Sequence, residues 1–193
     1  MLEPTREQGV PGGGLRPIYF YLIVILVFVS DQASKALIQR TLMFGEYRQV
    51  FGSSFMLTLT QNTGGAWGLL PSGNKIFVAF AAVAIVSLLY AYHRIARNDL
   101  LVASAFALAL GGAIGNLTDR LRYGYVVDFF DVRIIHWPIF NVADSAISLG
   151  IVLLLAHYLR SMRAESAARA HASAAAVSGP TLGSDDLANK ASE

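Results

Sequence analysis

Long uncharged runs alternate with short polar segments along this chain. The runs cover residues 17–30, 76–92, 100–118 and 145–159. Crossing the hydrocarbon core of a bilayer takes about 20 residues, with a usable range of about 17–25. Two of the runs reach that length only with the polar residues at their ends. One such run would suit a buried soluble helix, but four in one short chain indicate a membrane. We predict spans at about residues 17–36, 74–93, 99–121 and 143–160.

The segment between the first two predicted spans has a different pattern. Residues 41–73 lack a helical stripe, and VFGSSFMLTLTQ mixes β-branched and aromatic residues in rough alternation, which predicts short strands. NTGGAWG and LPSGN are typical of turns. We therefore expect a surface cradle at about residues 41–73. The predicted fold class is all-α integral membrane: a four-transmembrane-helix bundle with a small β-rich extracytoplasmic surface segment.

The two ends of the chain differ from the rest in composition. Residues 1–17 are rich in Gly and Pro, and residues 164–193 are rich in Ala and Ser and then polar. We expect a flexible cytoplasmic tail at 1–17, a four-span membrane domain at 18–160, and a disordered cytoplasmic tail at 164–193, which begins as a fraying helix.

Overall composition narrows the class of protein further. Of the 193 residues, 54% are hydrophobic and only 15% are charged, whereas a soluble domain carries about 25% charged residues. No cluster of Lys and Arg indicates nucleic acid, and without cysteine the chain has no thiol chemistry. The four histidines are scattered, without metal-ligand spacing. We expect no cofactor and no metal.

Four spans in series bring the polar residues of the chain to one membrane face. The end of span 1, the start of span 2, the end of span 3 and the start of span 4 share that face. Ionisable groups next to membrane spans are costly, which makes them candidates for function. The residues collected there are Asp31, Lys35, Asn62, Asn116, Asp119, Arg120, Asp128, Asn141 and Asp144.

The orientation of this face is indicated by positive charge on the other one. Arg94, Arg97, Arg160 and Arg163 lie at the opposite ends of the spans, which favours a cytoplasmic location there and an extracytoplasmic site. An alternative is that the first run is a cleaved secretory signal peptide with its small residues near Ala33 and Ser34. Such a cleavage would remove Asp31 from the protein.

Asp128 and Asp144 are the candidates for catalysis. Two carboxylates that share a site do not both ionise readily, so one can act as an acid while the other acts as a base towards water. Each also has a structural interpretation. Asp144 could cap the last helix or serve as its first-turn acid, and Asp128 could pair with Arg122 or Arg133.

The remaining polar residues have two interpretations each. Asp31 and Lys35 are four residues apart and can pair on one helix face, as an anchor or as a substrate clamp. Asp119 and Arg120 are adjacent and should each find other partners. Asn62 and Asn141 could bind a peptide backbone or cap turns, and we expect Asn62 to hold substrate without tuning the aspartates. Small residues in span 3 allow close approach of a helix or a ligand: Gly111, Gly112 and Gly115.

Five blocks in order resemble bacterial lipoprotein signal peptidase (signal peptidase II), a family of membrane aspartyl endopeptidases. They are DQASK (31–35), NTGGAWG (62–68), GGAIGNLTDR (111–120), VVDF (126–129) and FNVADS (140–145). The resemblance covers about residues 18–160. It implies that Asp128 and Asp144 are catalytic. It also implies that the following residues bind substrate or support the site: Asp31, Lys35, Asn62, Gly64, Asn116, Asp119, Arg120, Asn141 and Ala143.

Two positions depart from the family pattern. Gly65 stands where alanine is common, and Trp67 stands where phenylalanine is usual. Both changes keep a similar shape, so they leave the assignment intact and bear on packing within the surface segment.

The resemblance also implies a reaction and its setting. The enzyme would remove the signal peptide of prolipoproteins just before the diacylglyceryl-modified cysteine. It would act as a multi-pass protein of the bacterial cytoplasmic membrane, with both termini cytoplasmic and the site near the extracytoplasmic face. The expected partners are lipid-modified prolipoproteins and membrane lipids, with no nucleic acid, and we expect a monomer.

Two other classes of function use the same residues. A small transporter or proton-conducting protein also places carboxylates in a membrane, but it needs polar groups through the midplane, where spans 2 and 4 carry no charge. A non-catalytic assembly factor would use Asp128 and Asp144 structurally. Replacing them with Asn would then harm folding instead of turnover.

Overall fold

A computed structural model describes residues 15–64, 73–96 and 99–177. These residues form four long helices, α1 (Leu15–Thr41), α2 (Gly73–Ala91), α3 (Leu100–Tyr123) and α4 (Val142–Val177), with a π-helical turn after α2 at Tyr92–Ala96. Four segments are long and apolar enough to cross a membrane: Pro17–Thr41, Asn74–Ala96, Leu100–Tyr123 and Val142–His171. The four predicted spans are confirmed, and each is longer than the sequence indicated.

Helix α3 is the central helix of the bundle because its small residues let its neighbours come close. A Cβ atom placed on Gly111 would lie 2.8 Å from the Cβ of Val27 in α1. One placed on Gly112 would collide with the carbonyl oxygen of Ala143 in α4. The expectation of close helix approach at these glycines is confirmed, and substituting them would push α1 or α4 away from α3.

Both ends of α3 are capped, the start by a side chain and the end by a backbone N–H. The carboxylate of Asp99 accepts the N–H of Val102 at 3.0 Å, which satisfies one of the unpaired donors of the first turn. Gly124 ends the helix with a left-handed φ of 83°, and its N–H donates to the Arg120 carbonyl at 3.1 Å. This sharp end turns the chain directly into the next strand.

A three-stranded antiparallel sheet of order β1-β2-β3 stands at the end of the bundle. Its strands are β1 (Tyr47–Phe51), β2 (Phe55–Asn62) and β3 (Val126–Val132). The first two lie in the predicted cradle, whereas β3 comes from the α3–α4 connector, which we had not predicted to be a strand. The sheet packs on the end of α1 through a buried cluster of Ile38, Leu42, Leu59, Val127 and Phe129.

The register between β2 and β3 places the candidate acid of the connector opposite the cradle. Asp128 pairs with Thr60, and Val126 pairs with Asn62, after a break in the register between Leu57 and Thr60. This pairing brings residues more than sixty positions apart into one site. The position of Asp128 is therefore set by strand pairing and not by the membrane helices alone.

The chain divides into two compact units, residues 1–154 and 155–193. In the second unit, α4 continues to Val177, whereas we had expected only a fraying helix and then disorder from about residue 164. The physical reason is the run of alanines, which has the highest intrinsic helix propensity. The rest of the expected C-terminal tail, from residue 178, and the expected N-terminal tail up to residue 14 lie outside the described residues.

Candidate active site

The two candidate catalytic aspartates occupy different kinds of element at the same end of the bundle. Asp128 lies in the middle of β3 and is 1% exposed. Asp144 lies in the first turn of α4 and is partly exposed. A cleft of about 290 Å³ opens beside Asp128 and is also lined by Thr60, Gln61, Asn62, Thr63 and Ile139. An extended chain could therefore reach Asp128 along the end of β2.

Asn141 and Asp144 cap the start of α4 reciprocally. The Asp144 N–H donates to Asn141 Oδ1 at 2.9 Å, and the Asn141 N–H donates to Asp144 Oδ2 at 3.3 Å. This is the arrangement of a capping box, with an aspartate in the place of the usual Glu or Gln. The structural interpretation of Asp144 as a first-turn acid is therefore correct. Because the cap uses only Oδ2 of Asp144, the Oδ1 atom of this carboxylate remains available to other partners.

Asn141 also joins the two aspartates. Because its Oδ1 accepts the Asp144 N–H, its amide nitrogen points the other way and donates to Asp128 Oδ1 at 2.6 Å. A second amide, from Asn62 at the end of β2, donates to Asp128 Oδ2 at 2.9 Å. Both oxygens of Asp128 therefore accept an amide N–H.

The contact with Asn62 corrects one sequence-based expectation. We expected this residue to hold substrate without influencing the aspartates, yet its amide touches Asp128 directly. Its carbonyl oxygen accepts the N–H of Gly64 at 2.9 Å, so it caps a turn as well. Gly64 has a φ of 78°, which favours glycine, and a Cβ there would strike the ring of Phe77 in α2.

Asn116 of α3 plays the same role for Asp144. Its amide nitrogen donates to Asp144 Oδ1 at 2.7 Å. Its Oδ1 accepts from the ammonium group of Lys35 at 3.1 Å and from the amide of Asn141 at 3.1 Å. Three asparagines, Asn62, Asn116 and Asn141, thus supply side-chain donors to the two aspartates.

A second pair of aspartates, Asp31 and Asp119, lies next to this site, and both contact the ammonium group of Lys35. Lys35 Nζ is 2.8 Å from Asp31 Oδ2 and 2.8 Å from Asp119 Oδ2, and all three side chains are buried. The predicted pairing of Asp31 with Lys35 is confirmed. Asp31 also accepts the N–H of Ala143 at 3.0 Å, and Asp119 accepts the N–H of Val127 at 3.1 Å. These contacts tie α1 and α3 to the start of α4 and to β3.

The other residues expected to support the site lie at its border. The guanidinium of Arg120 is 5.4 Å from the centre of the Phe77 ring, and its Nη1 donates to the Asn116 carbonyl at 3.4 Å. Its charge interacts with Asp144, Asp128 and Asp119. Ala143 is fully buried. A Cβ atom placed on Gly115 would lie 2.6 Å from Asp31 Oδ2 and 3.5 Å from the Cβ of Ala143, so this part of the site has little room for larger side chains.

The electrostatics of Asp128 let it hold a proton to higher pH than an ordinary aspartate. Burial raises its pKa to about 6, and the charge of Asp144 adds to that effect. The amides of Asn62 and Asn141 and the charge of Lys35 act in the opposite direction. The alternative that Asp128 pairs with Arg133 is wrong, because Arg133 pairs with Asp131 at 2.8 Å. Among the residues that the structure describes, no arginine forms an ion pair with Asp128.

Sequence reasoning missed Gln32, which belongs to this network. Its amide nitrogen donates to Asp119 Oδ1 at 3.0 Å, to Asp31 Oδ2 at 3.1 Å and to the Gly115 carbonyl at 3.3 Å. Its place inside the DQASK block was the available signal. The departures noted at Gly65 and Trp67 lie outside the described residues.

The sequence of this chain is similar to those of known proteins of one family. A family model described as signal peptidase (SPase) II matches residues 23–160. A lipoprotein signal peptidase of Moorella thermoacetica is 44% identical over 135 residues, which cover 70% of this chain and 89% of that protein. One of Cupriavidus pinatubonensis is 40% identical over 170 residues, which cover 83% and 94%.

Solved structures agree with these sequence matches. A bacterial membrane enzyme determined by the in meso method at 1.9 Å resolution superposes with a TM-score of 0.70 at 33% identity, covering 73% of this chain and 92% of that one. A second such structure, at 2.3 Å, gives a TM-score of 0.69 at 32% identity, with coverage of 75% and 89%.

Proposed function

The chain belongs to the signal peptidase II family, and on that premise we propose that Asp128 and Asp144 form the catalytic pair. The protein is a multi-pass bacterial membrane enzyme, an aspartic endopeptidase that removes signal peptides from prolipoproteins. The single observation that supports the pair is Asn141, whose side chain touches Asp128 and the backbone of Asp144 at once. A purely structural capping residue would not need a second aspartate.

The geometry suggests a division of roles between the two carboxyl groups. Burial raises the pKa of Asp128 to about 6, so we assign the role of the acid to Asp128 and the role of the base to Asp144. Ionised Asp144 then takes a proton from water as the water oxygen attacks the scissile carbonyl carbon. Asp128 gives its proton to the carbonyl oxygen. The tetrahedral intermediate collapses when Asp144 gives the proton it took from water to the leaving nitrogen, the C–N bond breaks, and Asp128 takes back the proton of the hydroxyl group.

The substrate is proposed to be the lipid-modified form of the prolipoprotein, cleaved just before its diacylglyceryl cysteine. The cleft beside Asp128 is bordered by the end of β2, where Thr60, Gln61 and Asn62 could meet an extended peptide. The lipid chains would remain in the bilayer beside exposed apolar side chains of the spans, which include Leu121, Leu149 and Ile151.

We propose the orientation in the membrane from the positive charges at the ends of the spans. The site lies where α1 ends and α4 begins, while Arg94, Arg160 and Arg163 lie towards the opposite ends of the spans. Seven Lys and Arg fall on the site face and eight on the other, so the proposal of cytoplasmic termini and a site near the extracytoplasmic face depends on the arginines next to the span ends.

The test is to replace each carboxylate with its neutral amide. We expect Asp128→Asn and Asp144→Asn each to lower cleavage of a synthetic lipidated precursor at least about 100-fold, because general acid–base partners contribute about 10²–10⁴-fold. The matched control is Asp131→Asn, on the same strand. Asp131 is also buried, but it bonds Thr58 and Arg133 instead of the amides of the site.

The control should retain turnover within about threefold while all three variants insert and purify alike. Turnover near normal in either Asp128→Asn or Asp144→Asn would remove that residue from the mechanism. Equal losses in all three variants, together with poor folding, would instead support the structural alternative.

A further inference from the structure

Lys35 uses its whole hydrogen-bonding capacity inside the network. An ammonium group has three donors and no acceptor, and Lys35 has three acceptors around it: Asp31 Oδ2 at 2.8 Å, Asp119 Oδ2 at 2.8 Å and Asn116 Oδ1 at 3.1 Å. The side chain is 3% exposed. Two carboxylates are enough to neutralise one cation, so the third contact has a different consequence.

That third contact decides which way the Asn116 amide points. With Oδ1 towards Lys35, the amide nitrogen faces Asp144 Oδ1 at 2.7 Å. The flipped amide would place NH₂ against an ammonium and a carbonyl oxygen against a carboxylate, so both contacts would become repulsive. Lys35 therefore selects the orientation in which Asp144 receives an N–H.

Oδ1 of Asn116 also accepts a hydrogen bond from the Asn141 amide and so helps to fix its orientation. Asn141 donates to Asn116 Oδ1 at 3.1 Å and, with the same nitrogen, to Asp128 Oδ1 at 2.6 Å. A path of alternating donors and acceptors therefore runs from Lys35 through Asn116 to Asp144, with a branch through Asn141 to Asp128. Lys35 itself lies within ion-pair distance of neither member of the catalytic pair.

We propose that Lys35 is a positioning residue for the cleavage reaction, which acts by holding the Asn116 amide in the orientation that presents its N–H to Asp144. This inference rests on the catalytic pair proposed above. It differs from a role as a helix anchor, in which Lys35 would only join Asp31 of α1 to Asp119 of α3. Both roles use the same side chain, but only one acts through Asn116.

The charge of Lys35 gives a second readout, which reports its electrostatic effect on Asp128 and does not depend on Asn116. The ionisable groups of this part of the fold come from every element packed there: Asp31 and Lys35 from α1, Asp119 and Arg120 from α3, Asp128 from β3 and Asp144 from α4. The charge of Lys35 lowers the pKa of Asp128. Removing it should therefore raise that pKa and move the basic limb of the pH profile of kcat to higher pH.

A double-mutant cycle separates the two roles. We would measure kcat and KM of Lys35→Met, Asn116→Ala and the combined variant on the synthetic lipidated precursor, in the full-length protein. If Lys35 acts through Asn116, the combined variant should lose no more kcat than the worse single variant. Residues in one network commonly depart from multiplicative behaviour by roughly 2-fold to 150-fold. KM should change little.

Gln32→Ala is the matched control. Gln32 bonds Asp31, Asp119 and the Gly115 carbonyl, so it joins the same two helices as Lys35, but it does not touch Asn116. Its loss should lower thermal stability, and its effect on kcat should be small and should multiply with that of Asn116→Ala. If Lys35→Met does not purify, the cycle is repeated in an Asp119→Asn background, in which one cation and one anion are removed together.

The outcomes are distinct. Losses of kcat that multiply between Lys35→Met and Asn116→Ala, in proportion to lost thermal stability, would overturn the positioning role and leave Lys35 as an anchor. Asp128→Asn is measured in the same assay. If that variant is inactive, a multiplicative cycle refutes only the role of Lys35. If it is active, the catalytic pair itself is refuted.

Discussion

Two pairs of aspartates lie within this network, and they are held by opposite means. Asp31 and Asp119 share the ammonium group of Lys35, which brings a full positive charge within 2.8 Å of each. Asp128 and Asp144 share Asn141 and accept N–H groups that carry no net charge. A shared cation favours two ionised carboxylates. Neutral donors satisfy the oxygens and still let one proton remain.

This difference indicates separate roles for the cation-bound pair and the amide-bound pair. The cation-bound pair reaches across the fold, because Asp31 accepts the N–H of Ala143 and Asp119 accepts that of Val127. These bonds hold the first turn of α4 and the start of β3, the two elements that carry the proposed catalytic pair. Asp128 of the amide-bound pair lines the cleft. The first pair should therefore control stability, and the second should control turnover.

The largest effect is expected when a carboxylate is removed from the cation-bound pair. Asp31→Ala leaves Lys35 with one carboxylate fewer and the Ala143 N–H without its acceptor. Losing one partner of a buried ion pair costs about 3–5 kcal/mol, so we expect a large fall in the free energy of unfolding in detergent. A variant of normal stability with selectively lost turnover would show that the cation-bound pair is part of the chemistry.

Asn141→Ser tests the amide-bound pair, Asp128 and Asp144. Serine can still cap α4, but it has no amide to donate to Asp128. We expect kcat to fall about 10–100-fold, in the lower part of the range for acid–base groups, while thermal stability changes little. Asn141→Ala, which loses the cap as well, should be less stable than Asn141→Ser by about 1 kcal/mol. Equal stability of the two variants would mean that the cap contributes nothing.

Asn62→Ala should have the smallest effect of the three. The Asn62 amide stabilises ionised Asp128, so its loss should raise the pKa of Asp128 above about 6. Because we propose that protonated Asp128 is the acid, we expect activity to fall as pH rises through its pKa. The basic limb of the kcat profile should therefore move to higher pH. An unchanged profile with a raised KM would return Asn62 to substrate binding alone.

Much of this arrangement follows from local sequence pattern. The spans follow from uncharged length, and the Asp31–Lys35 pair follows from a spacing of four residues on a helix. Which side each polar residue occupies follows from counting spans. Resemblance to the family supplied the roles of Asp128 and Asp144, for which the residues alone left capping and ion pairing open.

The parts that were missed depend on contacts between distant segments. The run VVDFFD looks like a buried connector, and it becomes a strand only because β2, more than sixty residues earlier, pairs with it. The contact between Asn62 and Asp128 is a consequence of that register. The length of α4 beyond residue 164 has a different origin, since alanine propensity there outweighs the polar composition that indicated disorder.

The most direct test of the account is an infrared titration of the Asp128 carboxyl group, with isotope-labelled aspartate and the Asp128→Asn variant used to assign the band. We predict a protonated carboxyl that titrates near pH 6, because burial and the charge of Asp144 raise its pKa to about 6. In Asp144→Asn that charge is gone, so the titration should move to lower pH. An Asp128 that is ionised throughout, or that titrates identically in Asp144→Asn, would contradict the claim that the two aspartates form one coupled catalytic pair.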